Sequence, residues 1–345
     1  MLARYVFAKI FSGRVLKVAA ALVLTGLVAS STPLPPSSMK SLKINSKALG
    51  GKLPVMVYVP QATPPTGGWP VLYLLHGLGG CERDWVELGE IQVTLDRLIA
   101  TGRIRPMMVV MPGAANSWYV DSGTVGGPGD YETAIIEDLP RAIQKRFPVA
   151  VSPRSRAIAG VSMGGYGALR LALKHPEMFG AVASMSGAIW QNLPVALANG
   201  AGKPYDAFRD AAYFRRPDAA TVVPGIDLPP EGEHFDGAFG EPFDAGRFNR
   251  QNVFTLLASQ IAKGTTLPAI YLTVGDHDSH NLWRGSIALY QTLQADRQKV
   301  EFRVTDGDHT WSLWRKSIED TLLFVDQRFA VPAAQAQAET GGKAS

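Results

Sequence analysis

The stretch AGVSMGG, residues 159–165, follows a short apolar run and precedes a run of small residues with helical spacing. Its pattern Gly-x-Ser-x-Gly, centred on Ser162, is typical of a nucleophile elbow, in which a buried strand enters a tight, strained turn. Gly160 and Gly164, two residues before and two residues after Ser162, leave room for the strand and the helix to approach each other. The helix predicted over 164–174 points the positive end of its dipole at the serine. The stretch therefore predicts a strand–turn–helix unit that presents Ser162 as a nucleophile.

Short apolar runs alternate along the whole chain with helical patterns. Several of the runs are apolar without alternation, as expected for strands that are covered on both faces. This order predicts an α/β fold with a mostly parallel central sheet and helices on both faces. Ligands of such sheets bind outside the carboxyl ends of the strands. The predicted strands are 55–59, 71–75, 107–111, 156–159, 181–185, 269–274 and 300–304, and the helices are 85–100, 131–147, 164–174, 282–294 and 312–329.

Residues 1–30 have the pattern of a signal peptide, with basic residues before the apolar run 18–29 and small residues after it. The run is shorter than the roughly 20 residues that cross a membrane, which favours cleavage and export to the periplasm or the medium. The alternative is an uncleaved N-terminal anchor, and the segment could also give a transient association with a membrane. Residues 31–40, rich in Pro and Ser, are predicted to form an extended spacer.

The charge and cysteine counts exclude several classes of function. The formal net charge is +4, and the four basic residues that precede the apolar run account for it: Arg4, Lys9, Arg14 and Lys17. The remainder is close to neutral, which gives no support for nucleic-acid binding. Cys81 is the only cysteine, so no internal disulfide and no cysteine-based metal site can form. No cofactor is expected.

Residues 41–330 are predicted to form one catalytic domain, interrupted at 191–250. That stretch is rich in Pro, Gly, Asp and Phe and is too long for a simple connection. Because it follows the strand predicted at 181–185, we expect a lid or substrate-binding insertion on the same rim as Ser162. Residues 331–345 form an Ala/Gln/Gly-rich tail that is predicted to be disordered.

A serine hydroxyl needs a base, and hydrolases of this topology supply their partners in the chain order Ser, acid, His. His309, in GDHTW (307–311), follows the last predicted strand and is the predicted base. The acid comes from VGDHDSH (274–280), where Asp278 is favoured over Asp276. Two Asp and two His in this run could also suggest a metal site. The side chains of adjacent residues on a turn do not converge on one metal ion, however, and no other run of the sequence supplies the missing ligands. No metal site is therefore predicted.

An oxyanion hole needs two backbone donors. The N–H of Met163, directly after the nucleophile, is one candidate. The glycine-rich turn LLHGLGG (74–80) after an early strand supplies the other, best placed at Leu78. His76 precedes the serine and is predicted to shape this loop rather than to act as the base.

These four motifs, in this order, resemble the esterase D/antigen 85 family of α/β-hydrolases, which includes S-formylglutathione hydrolases, feruloyl esterase domains, enterobactin esterases and mycolyltransferases. The resemblance covers about residues 41–330. It implies that the family's Gly-x-x-Asp turn falls on Asp278, its Gly-x-His-x-Trp run on His309, and its Leu and Met oxyanion donors on Leu78 and Met163. FGEPF (239–243) resembles the end of the variable segment that shapes the acyl or alcohol site. With no landmark for glutathione, the carbohydrate-ester or envelope side of the family is the closer comparison.

The leading hypothesis is an exported serine carboxylesterase that acts through a Ser-Asp-His triad and an acyl-enzyme on a small-molecule or carbohydrate ester. The same residues could instead serve an acyltransferase that moves an acyl group to a sugar hydroxyl of the envelope or an exopolysaccharide. A third hypothesis is a catalytically silent binding protein on the same scaffold.

Aromatic platforms suit sugars and aryl groups, and Trp118 and Trp190 are predicted to line the substrate site.

Overall fold

A computed structural model describes residues 37–193 and 232–329 of the chain. Its centre is an eight-stranded sheet of order β1-β2-β4-β3-β5-β6-β7-β8. β1 pairs antiparallel with β2 and β2 with β4, and all other neighbours are parallel. The predicted mostly parallel sheet is therefore confirmed. The strands are β1 (Ser38–Ser46), β2 (Gly51–Val59), β3 (Val71–Leu75), β4 (Met108–Pro112), β5 (Arg156–Val161), β6 (Ala181–Met185), β7 (Ala269–Gly275) and β8 (Val300–Thr305).

Helices cover both faces of the sheet. They are α1 (Asp84–Glu87), α2 (Ile91–Ala100), α3 (Tyr131–Thr133), α4 (Leu139–Arg146), α5 (Met163–Lys174), α6 (Ala245–Gln251), α7 (Val253–Ala262), α8 (Trp283–Ala295) and α9 (Trp311–Arg328). One apolar core joins the sheet to α4, α5, α7 and α8, and a second joins it to α1, α2 and α9. β3 contributes side chains to both cores. Val71, Tyr73 and Leu75 belong to the first core, and Leu72 and Leu74 belong to the second. An uninterrupted apolar run is what two covered faces require.

Some predicted boundaries differ from the structure. β1 starts at Ser38, so the last residues of the spacer predicted at 31–40 are part of the sheet. The helix predicted at 85–100 is two helices, because Gly89 packs between Trp85 and Trp311 and Glu90 turns the chain with φ 51°. The helix predicted at 131–147 contains a wider π-type turn, Ala134–Asp138, between α3 and α4.

The described part of the predicted insertion packs as core. Phe235, at the end of a 3₁₀ turn (Gly232–Phe235), and Phe239 are fully buried beside Trp118. Phe248 is also buried and packs against both phenylalanines. Residues 194–231, which contain most of the predicted lid, lie outside the described residues, as do the N-terminal segment 1–30 and the tail 331–345. Among the helices that are described, none has the length and apolar character needed to cross a membrane.

Candidate active site

Ser162 stands between β5 and α5 in the strained backbone that the elbow motif predicts, with φ 54° and ψ −120°. A Cβ on Gly164 would lie 2.5 Å from the carbonyl oxygen of His76. A Cβ on Gly160 would overlap the backbone of Gly164 itself. Both glycines are therefore required by close approach of the backbone, and together they hold the serine at the carboxyl edge of the sheet.

Three chain segments from this edge bring their polar side chains into one hydrogen-bonded line. Nε2 of His309, beyond β8, lies 3.0 Å from Oγ of Ser162. Nδ1 of the same ring lies 2.8 Å from Oδ2 of Asp278, beyond β7. Because a carboxylate only accepts, Nδ1 carries the proton and Nε2 is left to accept from the serine hydroxyl. This is the arrangement in which a histidine can take the serine proton.

The two aspartates that the sequence leaves open have different positions. The Asp278 side chain is fully buried, and its Oδ1 accepts hydrogen bonds from the backbone N–H groups of His280 (3.0 Å) and Leu282 (3.3 Å). Asp276 is exposed, and its Oδ1 accepts from the N–H of Gly307. The structure therefore brings Asp278, and not Asp276, to His309.

Aromatic rings hold the imidazole of His309 from two sides. Trp314 meets it edge-on at 4.9 Å between ring centroids, and His280 does so at 4.8 Å. The indole N–H of Trp314 donates to Oγ of Ser186, which fixes that ring in turn. Only 8% of the His309 side chain is exposed. These contacts hold the His309 ring in the orientation in which it makes its hydrogen bonds to Asp278 and Ser162.

The backbone N–H groups of Leu78 and Met163 donate no hydrogen bond within the described part of the chain. Met163 begins α5 directly after Ser162. The loop that carries Leu78 lies against the serine, since a Cβ on Gly77 would come within 3.4 Å of the Ser162 Cβ. Two unused donors near the nucleophile are what an oxyanion hole requires.

The side chain of His76 supports the loop that carries Leu78, as the sequence predicts. Its buried ring accepts from the N–H of Ala114 at Nε2 (2.8 Å), so Nδ1 carries the proton and donates to the carbonyl of Gly77 (2.7 Å). The phenol of Tyr119 donates to the His76 carbonyl. Burial lowers the pKa of His76, which keeps the ring neutral in this role.

A buried ion cluster supports the neighbouring loop. Arg170, on α5, is fully buried and pairs with Glu132, while its Nη1 donates to the carbonyl of Tyr119 at 2.9 Å. Burial alone would raise the pKa of Glu132. Hydrogen bonds and charges from His175, Arg170 and Lys174 outweigh burial and hold that pKa far below its usual range. The cluster thus ties α5 to the loop that carries Trp118.

Ser162 and His309 open into a cavity of about 780 Å³, and Trp118 and Trp190 both line it. Their ring centroids are 5.6 Å apart. Trp118 takes a left-handed backbone, with φ 52°, and its buried indole N–H donates no hydrogen bond in the described part of the chain. The structure therefore places the predicted aromatic wall in the same cavity as Ser162.

Sequence reasoning missed the basic residues of this cavity: His234, His280 and Arg284. His280 lies two positions after Asp278 and could have been inferred from that spacing. His234 comes from the predicted insertion, and partial burial, followed by the charge of His280, lowers its pKa. No sequence signal marks Arg284, because only the start of α8 places it in the cavity.

One group of exposed side chains nearby has the chemistry of metal ligands. Ligand atoms of Asp276, His277 and Asp306 lie within 4.8 Å of one another. Asp306 is the separate carboxylate that the sequence argument did not find. All three side chains are exposed, and Asp276 also accepts a hydrogen bond from the backbone N–H of Gly307.

The chain is similar to several known esterases. The model of the Esterase family, described as Putative esterase, matches residues 46–325. An endo-1,4-beta-xylanase/feruloyl esterase of Xylanibacter ruminicola is 38% identical over 120 residues, which are 34% of this chain and 16% of that protein. Esterase Rv1288 of Mycobacterium tuberculosis is 32% identical over 234 residues, covering 63% of this chain and 49% of the relative. The chain thus spans half or less of the length of these relatives.

Among solved structures, a ferulic acid esterase superposes with a TM-score of 0.60 at 25% sequence identity. The superposition covers 85% of this chain and 99% of the other. The fold, the order of the four motifs and the family match all point to one group. The chain therefore belongs to the Esterase family, and the predicted resemblance to the esterase D/antigen 85 group of α/β-hydrolases is confirmed.

Proposed function

We propose that the protein is a serine carboxylesterase, with Ser162 as nucleophile, His309 as general base and acid, and Asp278 as the residue that orients His309. The observation that carries the proposal is the continuous line from Ser162 Oγ to His309 to Asp278, with contacts of 3.0 Å and 2.8 Å. Family membership supports the same chemistry.

In the acylation half-reaction, Ser162 Oγ attacks the ester carbonyl while Nε2 of His309 takes the hydroxyl proton. The negative charge that develops on the carbonyl oxygen is stabilised by the N–H groups of Leu78 and Met163. The imidazolium, stabilised by Asp278, then returns the proton to the leaving alcohol oxygen. The C–O bond breaks, and an acyl-enzyme on Ser162 remains.

In the deacylation half-reaction, water takes the place of the alcohol. His309 removes one water proton as the oxygen attacks the acyl carbon, and the same N–H pair holds the oxyanion. Return of that proton to Ser162 Oγ releases the carboxylic acid and restores the enzyme. A catalytically silent scaffold has no use for this complete set of groups, which favours the enzyme over a binding module.

The proposed substrates are esters of carbohydrates, with hydroxycinnamoyl esters as the first class to test. Two observations support this choice: the wall of Trp118 and Trp190 suits aryl and sugar rings, and similar proteins carry the names feruloyl esterase and ferulic acid esterase. Methyl hydroxycinnamates, p-nitrophenyl esters of increasing acyl length and acetylated sugars form the substrate panel.

Labelling with a fluorophosphonate tests the proposed nucleophile. We expect one label on Ser162, loss of labelling and of ester hydrolysis in Ser162→Ala, and wild-type behaviour in Ser41→Ala, an exposed serine on β1. Hydrolysis that survives in Ser162→Ala would contradict the proposal. Product analysis with added sugars decides the acyl acceptor, since an acyl sugar as the main product would indicate an acyltransferase.

The proposal includes export of the enzyme to the periplasm or the medium. Its support is the pattern of residues 1–30, with basic residues ahead of an apolar run too short for a span. N-terminal sequencing of the protein from cell fractions tests it. A chain that begins at Met1 and sediments with membranes would indicate an uncleaved anchor instead.

A further inference from the structure

The cavity around Ser162 has a basic wall, formed by His234, His280 and Arg284. Arg284 contributes a guanidinium cation, and each histidine contributes an imidazole that can donate a hydrogen bond. Arg284 lies in the first turn of α8 and His280 just before that helix, near the positive end of the helix dipole. An anionic group in this part of the cavity would be attracted by the guanidinium and by the helix dipole.

Arg284 is half-buried, and its guanidinium has no carboxylate partner and no side-chain hydrogen bond within residues 37–193 and 232–329. Its central carbon lies 5.2 Å from the centroid of the Trp283 ring. A guanidinium against an aromatic ring keeps its plane fixed, and its N–H edge stays free for a bidentate acceptor. The guanidinium of Arg284 therefore presents N–H donors in a fixed orientation, and no acceptor pairs with them within the described residues.

The two histidines add hydrogen-bond donors to the same wall, because even a neutral imidazole carries one N–H group. Burial, followed by the charge of His280, lowers the pKa of His234, while Asp236 acts in the opposite direction. Asp236 also accepts a hydrogen bond from the side-chain amide of Asn116. Since Arg284 and the two histidines line one cavity, a carboxylate bound there can accept hydrogen bonds from this wall.

The described acids near the cavity do not already fill this role. Asp84 lines the cavity but forms no ion pair with Arg284, and the Sγ of Cys81 donates to its carboxylate. Asp278 is committed to His309 and to two backbone N–H groups. Neither of these acids therefore pairs with the guanidinium of Arg284 in the part of the chain that is described.

We propose that Arg284, with His234 and His280, forms a specificity subsite for a carboxylate carried by the ester substrate. This inference rests on the proposed esterase function and narrows its substrate class. The carboxylate could belong to the acyl part, as in a dicarboxylic half-ester, or to the alcohol part, as in an acylated uronic acid. The chemistry of the subsite is the same in both cases.

Two matched substrate pairs test the subsite and identify the source of the carboxylate. For the acyl part, p-nitrophenyl glutarate is compared with p-nitrophenyl pentanoate, which has the same chain length and no charge. For the alcohol part, a monoacetylated methyl glucuronoside is compared with the corresponding glucoside. The measured quantity is the ratio of kcat/KM for the charged ester to kcat/KM for the neutral ester.

We expect this ratio to fall about tenfold or more in Arg284→Met for one of the pairs, with partial retention in Arg284→Lys. Arg297→Met removes the same charge from an exposed site beyond the far end of α8, and the ratio should not change. The pair that responds identifies which part of the substrate carries the carboxylate. Equal ratios in wild type and Arg284→Met for both pairs would overturn the subsite.

A binding measurement separates this inference from the proposed catalysis. Calorimetry on Ser162→Ala compares the affinities of the charged and neutral esters, and Ser162→Ala/Arg284→Met repeats the comparison. We expect the preference for the charged ester to be lost in the double variant. If no ester is hydrolysed but this preference is present, catalysis fails while the subsite is supported. Equal affinities in the single variant would overturn the subsite even in an active enzyme.

Discussion

Oδ2 of Asp278 lies 2.8 Å from Nδ1 of His309, while Asp276 is exposed and accepts from a backbone N–H. Asp278→Asn would place a donor against Nδ1 and favour the wrong tautomer of the ring. We expect kcat to fall by about 10⁴-fold, the loss seen when a triad aspartate becomes asparagine. Asp276→Asn is the matched control and should keep most of the activity. Equal losses in the two variants would contradict the assignment.

A substitution at Gly164, the glycine two positions after Ser162, tests how tightly the turn is packed. A Cβ at this position would lie 2.5 Å from the carbonyl oxygen of His76, in the loop that carries Leu78, so Gly164→Ala must move one of the two backbones. We expect a loss of about 2 kcal/mol or more in the free energy of unfolding, measured by urea denaturation. Gly51→Ala, where the nearest contact is 3.7 Å away, should change it far less. A wild-type midpoint for Gly164→Ala would show that the turn can relax.

The buried ion cluster gives a prediction on stability. Arg170→Met leaves the Glu132 carboxylate without its buried guanidinium and the Tyr119 carbonyl without a donor. We expect a destabilisation of about 3 kcal/mol and a raised KM for aryl esters, because the loop of Trp118 loses its support. Arg141→Met removes an exposed pair with Glu137 and should cost less than about 1 kcal/mol. Similar unfolding midpoints for the two variants would contradict this account.

The depressed pKa of Glu132 predicts the direction of the pH dependence of stability. The unfolded chain binds the proton near the ordinary value of 4.5, whereas the folded chain resists it. The stabilisation is therefore fully present above pH 4.5 and is lost as the pH falls below that value. Urea midpoints between pH 7 and pH 3 should fall more steeply for wild type than for Glu132→Gln. Glu137→Gln, at an exposed position, should keep the wild-type slope.

The mostly parallel central sheet could be predicted because its central strands are covered on both faces. β3 is apolar at every position and belongs to two cores, so its sequence has no other interpretation. β1 could not be predicted in the same way. Lys40 and Lys43 interrupt its apolar residues, which a strand at the edge of a sheet tolerates and a central strand does not.

The site was predictable to the extent that motif spacing fixes backbone geometry. Ser162 follows from the two flanking glycines, and His309 from its place after the last strand. Asp278 and Asp276 could not be separated by spacing, because the choice depends on how the turn after β7 leaves the sheet. Arg284 could not be predicted, since its place in the cavity depends on where α8 begins and on Trp283 beside it.

The distance along the chain between Ser162 and its proposed base has a consequence for biosynthesis. His309 and Ser162 are 147 positions apart, and His309 reaches the serine only after β7 and β8 have joined the edge of the sheet. A chain that has left the ribosome only as far as β6 holds its serine without this proposed proton acceptor. If His309 is the base, we expect Ser162 to react with a fluorophosphonate only once the last parallel strand has docked, so that this reactivity would report completion of the sheet.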